Sequence, residues 1–302
     1  MTALPHRSAR CQRWASGRHR WVPRRDGGLD TRRYTIDELA EAEARQYTVA
    51  HHYTASWPAA RLRYGLRTRA DGRLCGVLVL GVPMHPAVLT RPFPGLEPYR
   101  QSLELQRLVL APAVPANGES HFTMTALRMA AADHGLRGVV AFADPIPRVR
   151  RDASGPVLVT PGHAGCVYQA CSAIYTGLAT PRSLTLLPDA TALTARAMAK
   201  VCTGERGARG VIARLVALGA PPPDGSQPPR AWLHAALAAI GATSVRHPGN
   251  HRYLIRLGSR RQRRRTIVGL PAWRYPKRHQ PSPAIADALH AAAPAAGTGL
   301  RP

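Results

Sequence analysis

Runs of apolar residues predict a central β-sheet in the first half of the chain. Residues 62–69 and 73–82 are β-like and flank Ala70-Asp71-Gly72, and an Asp-Gly pair between two such runs is typical of a β-hairpin. The second run is almost wholly apolar, which predicts a strand that is covered on both faces. Residues 103–110 and 137–143 predict two further strands of the same sheet.

Helical periodicity alternates with these strands. The residues TIDE at 35–38 match a capping box, which predicts a helix that runs from there to about residue 50. Residues 118–134 predict a second helix that ends before Gly135, a residue suited to positive φ at a helix end. Further helices are expected at 165–173, 193–219 and 231–240, and further strands at 174–187 and 251–257.

The predicted order is helix, two hairpin strands, strand, helix, strand, helix, strand. This is the order of the acetyltransferase (GNAT-like) fold, so we expect an α/β (α+β) protein with a central mixed sheet flanked by helices. The expected domains are a basic arm at 1–33, a GNAT-like catalytic domain at 34–190, a basic extension of helices and strand packed on it at 191–280, and a disordered tail at 281–302. The arm is rich in arginine and tryptophan and predicts a loop, or a segment that becomes ordered on binding.

The charge balance points to a polyanionic partner. The chain has 302 residues, with 42 Lys and Arg against 17 Asp and Glu, for a formal net charge of +25. All of the basic residues except Lys200 and Lys277 are arginines, whose forked guanidinium binds phosphate bidentately. A GC-rich genome would explain the preference for arginine but not the shortage of acidic residues. We therefore expect double-stranded DNA as the partner; the oligomeric state is open.

Cysteine usage and hydropathy predict the compartment. The five cysteines are an odd number without zinc-type CxxC spacing, which fits buried thiols in a reducing host-cell cytoplasm. Residues 1–30 are basic but contain no apolar segment of the signal-peptide kind. No apolar run is long enough to span a bilayer, so no membrane partner is expected.

Four segments stand in a specific order and spacing along the chain: HHYTASWP (51–58), ELQRL with NGESHF (104–108 and 117–122), FADP (142–145), and GCVYQA with IYTG (165–170 and 174–177). Together they resemble the Mom family of phage DNA-modifying proteins. The segments NHRY (250–253) and WRYPKR (273–278) resemble the basic C-terminal strands of that family.

The resemblance implies an activity. Mom proteins convert adenine in DNA to an N6-carbamoylmethyl form, which shields phage DNA from restriction. The loop at 111–116 reads APAVPA and lacks the (Q/R)xxGx(G/A) pattern of typical acetyltransferases, which argues against ordinary acetyl-CoA binding. The group donor therefore stays unknown, with an acyl-CoA-like donor and an iron cofactor both open.

Asp144, His52 and Tyr53 are the first catalytic candidates. Asp144 follows a predicted strand and would accept a proton from N6 or bind a metal, although an Asx-Pro turn is the plainer interpretation. The resemblance aligns His52 and Tyr53, whose imidazole suits a general base and whose phenol suits stacking or proton donation. The plainer interpretation of this pair is a histidine at a helix end beside a packed tyrosine.

Ser120 and Arg107 are candidates for catalysis and for holding the donor. Ser120 lies in the first turn of a predicted helix, where free N–H groups attract phosphate or an oxyanion, although the position also suits simple capping. Arg107 lies in an apolar strand, where an unpaired charge is costly. It either pairs with a buried carboxylate such as Glu104 or faces a pocket and binds an anion.

Tyr168 and Gln169 are candidates for recognition of the base. Gln can pair bidentately with the edge of adenine, and Tyr168 would stack on the base or act as an acid. The alternative is a core aromatic, which is how we interpret Tyr175.

Two further sets of side chains carry hypotheses. Five arginines, Arg260, Arg261, Arg263, Arg264 and Arg265, predict contacts with DNA phosphates, with a solvated face as the alternative. The second set would suit iron rather than zinc if it converged, although no spacing demands a metal; it comprises His52, Tyr53, Asp144, His163 and Tyr168.

Two other functions remain open. One is an ordinary acyltransferase that acts on a small molecule or a protein, against which the altered loop and the basic surplus argue. The other is a non-catalytic DNA-binding protein, which would not need an Asp at a strand end together with His and Tyr.

Overall fold

The structure is a computed structural model that describes residues 10–15, 18–23, 28–152, 155–160 and 162–276. These residues form two compact units. The first takes the chain up to Pro145, then Gly162–Ala179, and then the residues from Asn250 onward; the second takes Ile146–Pro161 and Thr180–Gly249.

The strands, in chain order, are β1 (Arg10–Ala15), β2 (Arg18–Pro23), β3 (Tyr34–Glu38), β4 (Ala60–Thr68), β5 (Leu74–Gly81), β6 (Ser102–Leu110), β7 (Gly138–Ala143), β8 (Arg148–Asp152), β9 (Gly155–Thr160), β10 (Ile174–Leu178), β11 (Arg182–Leu186), β12 (Ala192–Leu193), β13 (Thr243–His247) and β14 (His251–Arg256). The helices are α1 (Glu41–His51), α2 (Ala87–Thr90), α3 (Gly118–Asp133), α4 (Cys166–Ala170), α5 (Ala195–Thr203), α6 (Ala208–Ala217), α7 (Pro229–Ala239) and α8 (Arg260–Arg265).

The first unit is built on a seven-stranded mixed sheet of order β10-β14-β7-β6-β5-β4-β3. Only β6 and β7 run parallel; the other neighbours are antiparallel. The predicted class, a central mixed sheet flanked by helices, is confirmed, as are the four strands predicted between 62 and 143. The β4–β5 hairpin turns through Gly72, whose φ of +67° is the conformation that an Asp-Gly turn requires.

The side chains of β5 alternate between two apolar cores, as the period of a strand dictates. Leu78 and Leu80 face the core that is closed by Phe122 and Leu127 of α3. Val77 and Val79 face the opposite core, which α1 covers. The strand predicted to be buried on both faces is therefore central, with helices packed on each side.

The parallel pair separates part of the way along its length. Residues 102–105 of β6 pair with residues 138–141 of β7, and beyond Leu105 strand β6 keeps only its pairing with β5. That pairing skips Gln106, which forms a β-bulge between Leu105 and Arg107. The bulge and the end of the parallel ladder coincide and open a gap in the sheet.

The capping-box prediction at 35–38 is wrong. Tyr34–Glu38 forms the edge strand β3, and α1 begins only at Glu41, without a side-chain cap at Ala40. Thr35 pairs with Arg67 and Ile36 with Leu66, so backbone pairing with β4 takes this segment. The local capping pattern is outweighed by a long-range ladder that the sequence does not display.

Part of the N-terminal segment is a hairpin rather than the expected loop. The backbone of β1 pairs antiparallel with β2, from Arg10 opposite Pro23 to Ala15 opposite Arg18. Backbone pairing needs no apolar alternation, so the missing periodicity did not exclude strands. The side chains of this arm, and the tail predicted from 281, lie outside the described residues.

The second unit combines a hairpin, β8–β9, with a sheet of order β12-β11-β13 and helices α5, α6 and α7. Its apolar core includes Leu215, Trp232 and Ala236. The helical stretch expected at 193–219 is confirmed and is divided into two helices, α5 and α6, because Gly204 and Gly207 between them both have positive φ. The expected extension at 191–280 does not form one unit, since its strand β14 lies in the main sheet between β7 and β10.

Two further expectations concern helices and thiols. Among the described helices none is both long and apolar enough to cross a membrane. The four described cysteines are free, and Cys75 and Cys171 are buried as expected, but Cys202 is exposed.

Candidate active site

Glu104 and Arg107 flank the bulge where the sheet opens. Burial raises the pKa of Glu104 above its ordinary value, while the amide of Gln106 and the charge of Arg107 oppose the shift. Burial likewise lowers the pKa of Arg107. The Oε1 atom of Gln106 is buried and has no hydrogen-bond partner among the residues that the structure describes. The surroundings of the bulge therefore contain partly desolvated polar groups, which apolar packing does not explain.

Arg107 does not form the ion pair with Glu104 that the sequence left open. Its Nε and Nη2 donate to the carbonyl and hydroxyl oxygens of Ser56 at 3.2 and 2.9 Å, and its Nη1 donates to the carbonyl of Gln106 at 2.7 Å. Within the described chain it forms no ion pair with a carboxylate. The guanidinium is held in place by neutral acceptors and keeps its charge available to an anion, so the role in holding a donor stays a prediction.

His52 ends α1 and is 9% exposed. Its Nδ1 accepts the backbone N–H of Thr54 at 3.2 Å and lies 2.9 Å from the Thr54 hydroxyl. Burial lowers the pKa of His52 to about 3, and the charges of Arg107 and His163 add to that effect. The neutral ring with Nδ1 accepting carries its proton on Nε2. This geometry favours a hydrogen-bond donor over the general base that we expected.

Tyr53 stacks on His52, with ring centroids 4.2 Å apart. Burial raises the pKa of Tyr168 well above its ordinary value, and Tyr53 and Glu104 contribute to the same direction. The candidates His52, Tyr53, Arg107 and Tyr168 are linked by their effects on one another's pKa values. They come from a helix end, a loop, a strand and a different helix.

Asp144 follows the last residue of β7 and is half-buried. Its backbone carbonyl accepts the N–H of His163 at 2.8 Å. Burial lowers the pKa of His163, the Asp144 carboxylate opposes that shift, and His251 reinforces it. Asp144 therefore lies beside His163 at the end of a strand, which is the position that the sequence predicted; its catalytic role stays a prediction.

Tyr168 belongs to a cluster of aromatic rings on one face of the sheet. Its ring centroid lies 5.4 Å from that of Tyr253, which lies 5.2 Å from that of Tyr175. The hydroxyl of Tyr175 shares a hydrogen bond of 2.9 Å with Nδ1 of His251. Tyr175, interpreted as packing, is thus both packed and hydrogen-bonded to a buried histidine.

Gln169 is not free to read the edge of a base. Its Nε2 donates to the carbonyl of Ala164 at 2.9 Å and to the hydroxyl of Tyr253 at 3.1 Å. A primary amide has two N–H donors, and both are used within the chain. The predicted bidentate contact with adenine needs one of those donors, so this geometry does not support it.

Ser120 lies in the first turn of α3, which begins after Asn117 at a φ of +71°. Its hydroxyl donates to the carbonyl of Asn117 at 3.2 Å. Its backbone carbonyl accepts from the thiol of Cys171 at 3.9 Å. The side chain is engaged locally, so anion binding at this turn stays a prediction that would rest on the backbone N–H groups.

The arginine run forms α8, which begins with a capping box between Ser259 and Gln262. All five arginines are exposed, and in the described part of the chain none forms an ion pair with a carboxylate. Arg263 donates to the carbonyl of Gly258 at 2.6 Å. The helix therefore displays a dense, uncompensated positive charge.

The metal hypothesis has little support from geometry. No group of three or more His, Cys, Asp or Glu side chains that could hold a metal ion exists among the described residues. His52 also uses Nδ1 in an internal hydrogen bond. We therefore assign no chemical step to iron.

Three residues of this site were not among the predicted site residues. Glu104 contributes to the raised pKa of Tyr168, and the ring of Tyr253 lies beside that of Tyr168. His251 shares a hydrogen bond with Tyr175. Tyr253 and His251 come from β14, which enters the sheet next to β7. The resemblance of the NHRY segment was the one sequence feature that marked them.

A mixed sheet with buried and half-buried His, Glu, Arg and Tyr side chains beside its bulge defines an α/β protein with an enzyme-like polar site. The chain belongs to the Mom protein family, whose family model matches residues 33–217. This confirms the resemblance found in the sequence, and together with the fold it supports a transferase.

Solved acetyltransferases are similar to the chain at low scores. A spermidine/spermine N-acetyltransferase from Vibrio cholerae, described in complex with manganese ions, matches with 14% identity and a TM-score of 0.30, covering 52% of this chain and 83% of that one. A ribosomal-protein-S5-alanine acetyltransferase from Vibrio fischeri matches with 10% identity and a TM-score of 0.31, covering 49% and 82%. No curated protein matches the chain. At these scores the structural matches are similarities only.

Proposed function

We propose that this protein transfers a carbamoylmethyl group to N6 of adenine in DNA and so protects phage DNA from restriction. The observation that carries the proposal is a group of polar side chains at and near the bulge of β6 that shift one another's pKa values: His52, Tyr53, Glu104, Arg107 and Tyr168. Membership of the Mom family supports the same activity.

The reaction needs a nucleophilic amine and an acceptor for its proton. The N6 nitrogen attacks the methylene carbon of the donor, the new N–C bond forms, and the bond from that carbon to the leaving group breaks with the electron pair on the leaving group. One N6 proton is lost. A nearby carboxylate assists because the lone pair of N6 is delocalised into the ring and is weakly nucleophilic.

Asp144 is the proposed proton acceptor, and Glu104 is the second carboxylate of the site. Asp144 lies beside His163, whose pKa it raises against the effect of burial. The raised pKa of Glu104 brings that carboxylate closer to a useful base. His52 would donate from Nε2 to the base or to the donor, since its low pKa keeps it neutral at neutral pH.

In this proposal, positively charged side chains and aromatic rings bind the DNA and the donor. The uncompensated α8 and the net charge of +25 suit the phosphates of double-stranded DNA. Tyr53 and Tyr168 supply the rings on which an adenine taken out of the stack would rest. Arg107 supplies a positive charge for an anionic end of the donor.

The test is mass spectrometry of nucleosides from DNA of cells that express the full chain. Deoxyadenosine carrying a carbamoylmethyl substituent in place of one N6 hydrogen is expected, together with resistance of that DNA to restriction at adenine-containing sites. An acetyl substituent would instead indicate ordinary acyl transfer. An unaltered nucleoside profile from well-expressed protein would contradict the proposal.

A further inference from the structure

The segment after α8 is attached to the edge of the main sheet. Strand β10 is the outermost strand on its side of that sheet. The backbone N–H of Trp273 donates to the carbonyl of Tyr175 at 2.8 Å, and the hydroxyl of Tyr275 donates to the carbonyl of Ala173 at 2.8 Å. Two anchors, one at each aromatic residue, fix this short stretch against β10.

The anchored stretch presents an indole to solvent. Trp273 is 63% exposed although its backbone is held. A side chain built at Gly177 would meet Cδ1 and Nε1 of the indole at 3.7 Å, so the ring rests over this glycine, whose φ is +80°. Tryptophan is highly buried on average, so an indole that is mostly exposed while its backbone is fixed leaves a large aromatic face open to a ligand.

A chain of aromatic rings links this surface to the candidate active site. Tyr275, 43% exposed, has its ring centroid 6.4 Å from that of Tyr253, which is in turn 5.4 Å from that of the buried Tyr168. Trp273 is two residues from Tyr275 and is bonded to Tyr175, which also packs on Tyr253. The exposed indole is therefore connected through Tyr175 and Tyr253 to Tyr168, one of the rings that would receive the adenine.

We propose that Trp273 is a stacking platform for an unpaired DNA base beside the site of modification. The inference rests on the proposed function and adds to it the means by which the opened duplex is held. Enzymes that act on a base take it out of the stack, and aromatic side chains stack on bases or fill the space that is vacated.

Charge favours nucleic acid over a protein as the occupant of this surface. Arg274, between the two aromatic residues, is exposed, and the uncompensated α8 belongs to the same unit. Arginine beside aromatic faces is the usual composition of surfaces that bind unpaired bases along a negatively charged backbone. The exposed aromatic rings and the positive charge thus suit the same partner.

The test compares the affinity of the full chain for two probes, a short adenine-containing single strand and a duplex with the adenine opposite an abasic site. Trp273→Ala should weaken binding to both by about tenfold, and Trp273→Phe should stay within about threefold of the wild type, because a smaller ring still stacks. The slope of log affinity against log salt should not change, because stacking releases no counterions. Met84→Ala, which removes an apolar side chain that is 82% exposed in another loop, is the matched control and should bind normally.

Unchanged affinity in Trp273→Ala, an equally large decrease in Trp273→Phe, or a flatter salt slope would overturn the proposal. A change in sedimentation with DNA binding intact would assign the ring to a protein contact and would overturn it as well. Thermal unfolding of each variant checks that the fold is intact. If the wild type modifies no DNA but Trp273→Ala binds DNA more weakly than the wild type, the proposed function fails and the stacking platform stands. If the wild type modifies DNA and Trp273→Ala binds DNA normally, the proposed function stands and the stacking platform fails.

Discussion

Arg107 donates two hydrogen bonds to Ser56, a residue 51 positions earlier in the chain, at 3.2 and 2.9 Å. The pair connects strand β6, at its bulge, to the loop that follows His52 and Tyr53. A charged donor on neutral acceptors leaves the positive charge unpaired, so the same contact positions the loop and preserves an anion site.

Arg107→Lys should disturb the position of this loop while it keeps the charge of the anion site. Lysine keeps the charge but lacks the fork that reaches both oxygens of Ser56. We expect the free energy of unfolding to fall by about 1–3 kcal/mol and the yield of modified adenine to fall with it. Urea unfolding and nucleoside mass spectrometry measure the two effects. Arg61→Lys, at an exposed position of β4, is the control and should change neither.

Asp144→Asn should abolish modification while DNA affinity and folding stay intact. The substitution keeps the size of the side chain but removes the negative charge that would accept the N6 proton. Nucleoside mass spectrometry reads the activity, and anisotropy with duplex DNA reads the affinity. Retained activity would show that Asp144 is a turn residue at the end of β7.

The buried His52 predicts a stability that depends on pH. Its pKa is about 3 in the folded protein against 6.5 ordinarily, so the unfolded chain binds a proton that the folded chain does not. The stability contributed by the neutral ring is complete above pH 6.5 and is lost as the pH falls toward 3, by as much as about 5 kcal/mol. His52→Gln should weaken this dependence.

Urea unfolding at pH 7 and pH 4 measures that difference. The neighbouring His51 is exposed at the end of α1, so His51→Gln is the matched control and should behave as the wild type. Burial lowers the pKa of His163 as it lowers that of His52, so part of the pH dependence should remain in His52→Gln. An unchanged pH dependence in that variant would contradict the burial of a neutral His52.

Gly165→Ala should disturb the aromatic cluster directly. A Cβ at this position would lie 2.5 Å from Cε2 of Tyr253 and 3.0 Å from Cδ2 of Tyr168. Gly135 has nearly the same φ, +70° against +68°, with nothing within 4 Å of its Cβ position. Gly135→Ala therefore isolates backbone strain, at about 1 kcal/mol, and Gly165→Ala should cost roughly 1–3 kcal/mol more through overpacking. Equal unfolding free energies for the two variants would show that the rings move aside without cost.

Removing the charge of α8 should weaken DNA binding at every sequence alike. The slope of log affinity against log salt should flatten by about 0.9 for each DNA phosphate that is no longer neutralised, and so by at most roughly 3–4 units. Sequence preference should barely change, because arginines that bind phosphates do not read bases. Modification should fall at low DNA concentration and recover when DNA is saturating. The variant replaces four residues with Gln: Arg261, Arg263, Arg264 and Arg265.

The control removes the same charge elsewhere, from four exposed arginines of the second unit: Arg206, Arg209, Arg230 and Arg246. If both sets flatten the slope equally, DNA is bound by the general positive charge and not by α8. If the α8 variant keeps the wild-type slope, its arginines form a solvated face.

Local patterns were sufficient for much of the sheet and its helices. The Asp-Gly turn, the apolar run of β5 and the glycine after α3 each express a preference within a few neighbouring residues, and the structure confirms all three. The Asp at the end of β7 was predicted in the same way. These elements depend on backbone conformation and on the periodicity of burial, which a sequence displays directly.

The tertiary structure alone decided which groups face one another. The capping pattern at 35–38 became a strand because β4 offered a long-range ladder, and β14 entered the main sheet from far along the chain. Arg107 found Ser56 rather than Glu104, and both donors of Gln169 were used within the chain. Hydrogen-bond partners and desolvation are properties of the packed molecule, so the low pKa of His52 and the gap between β6 and β7 follow only from residues that are distant in sequence and adjacent in space.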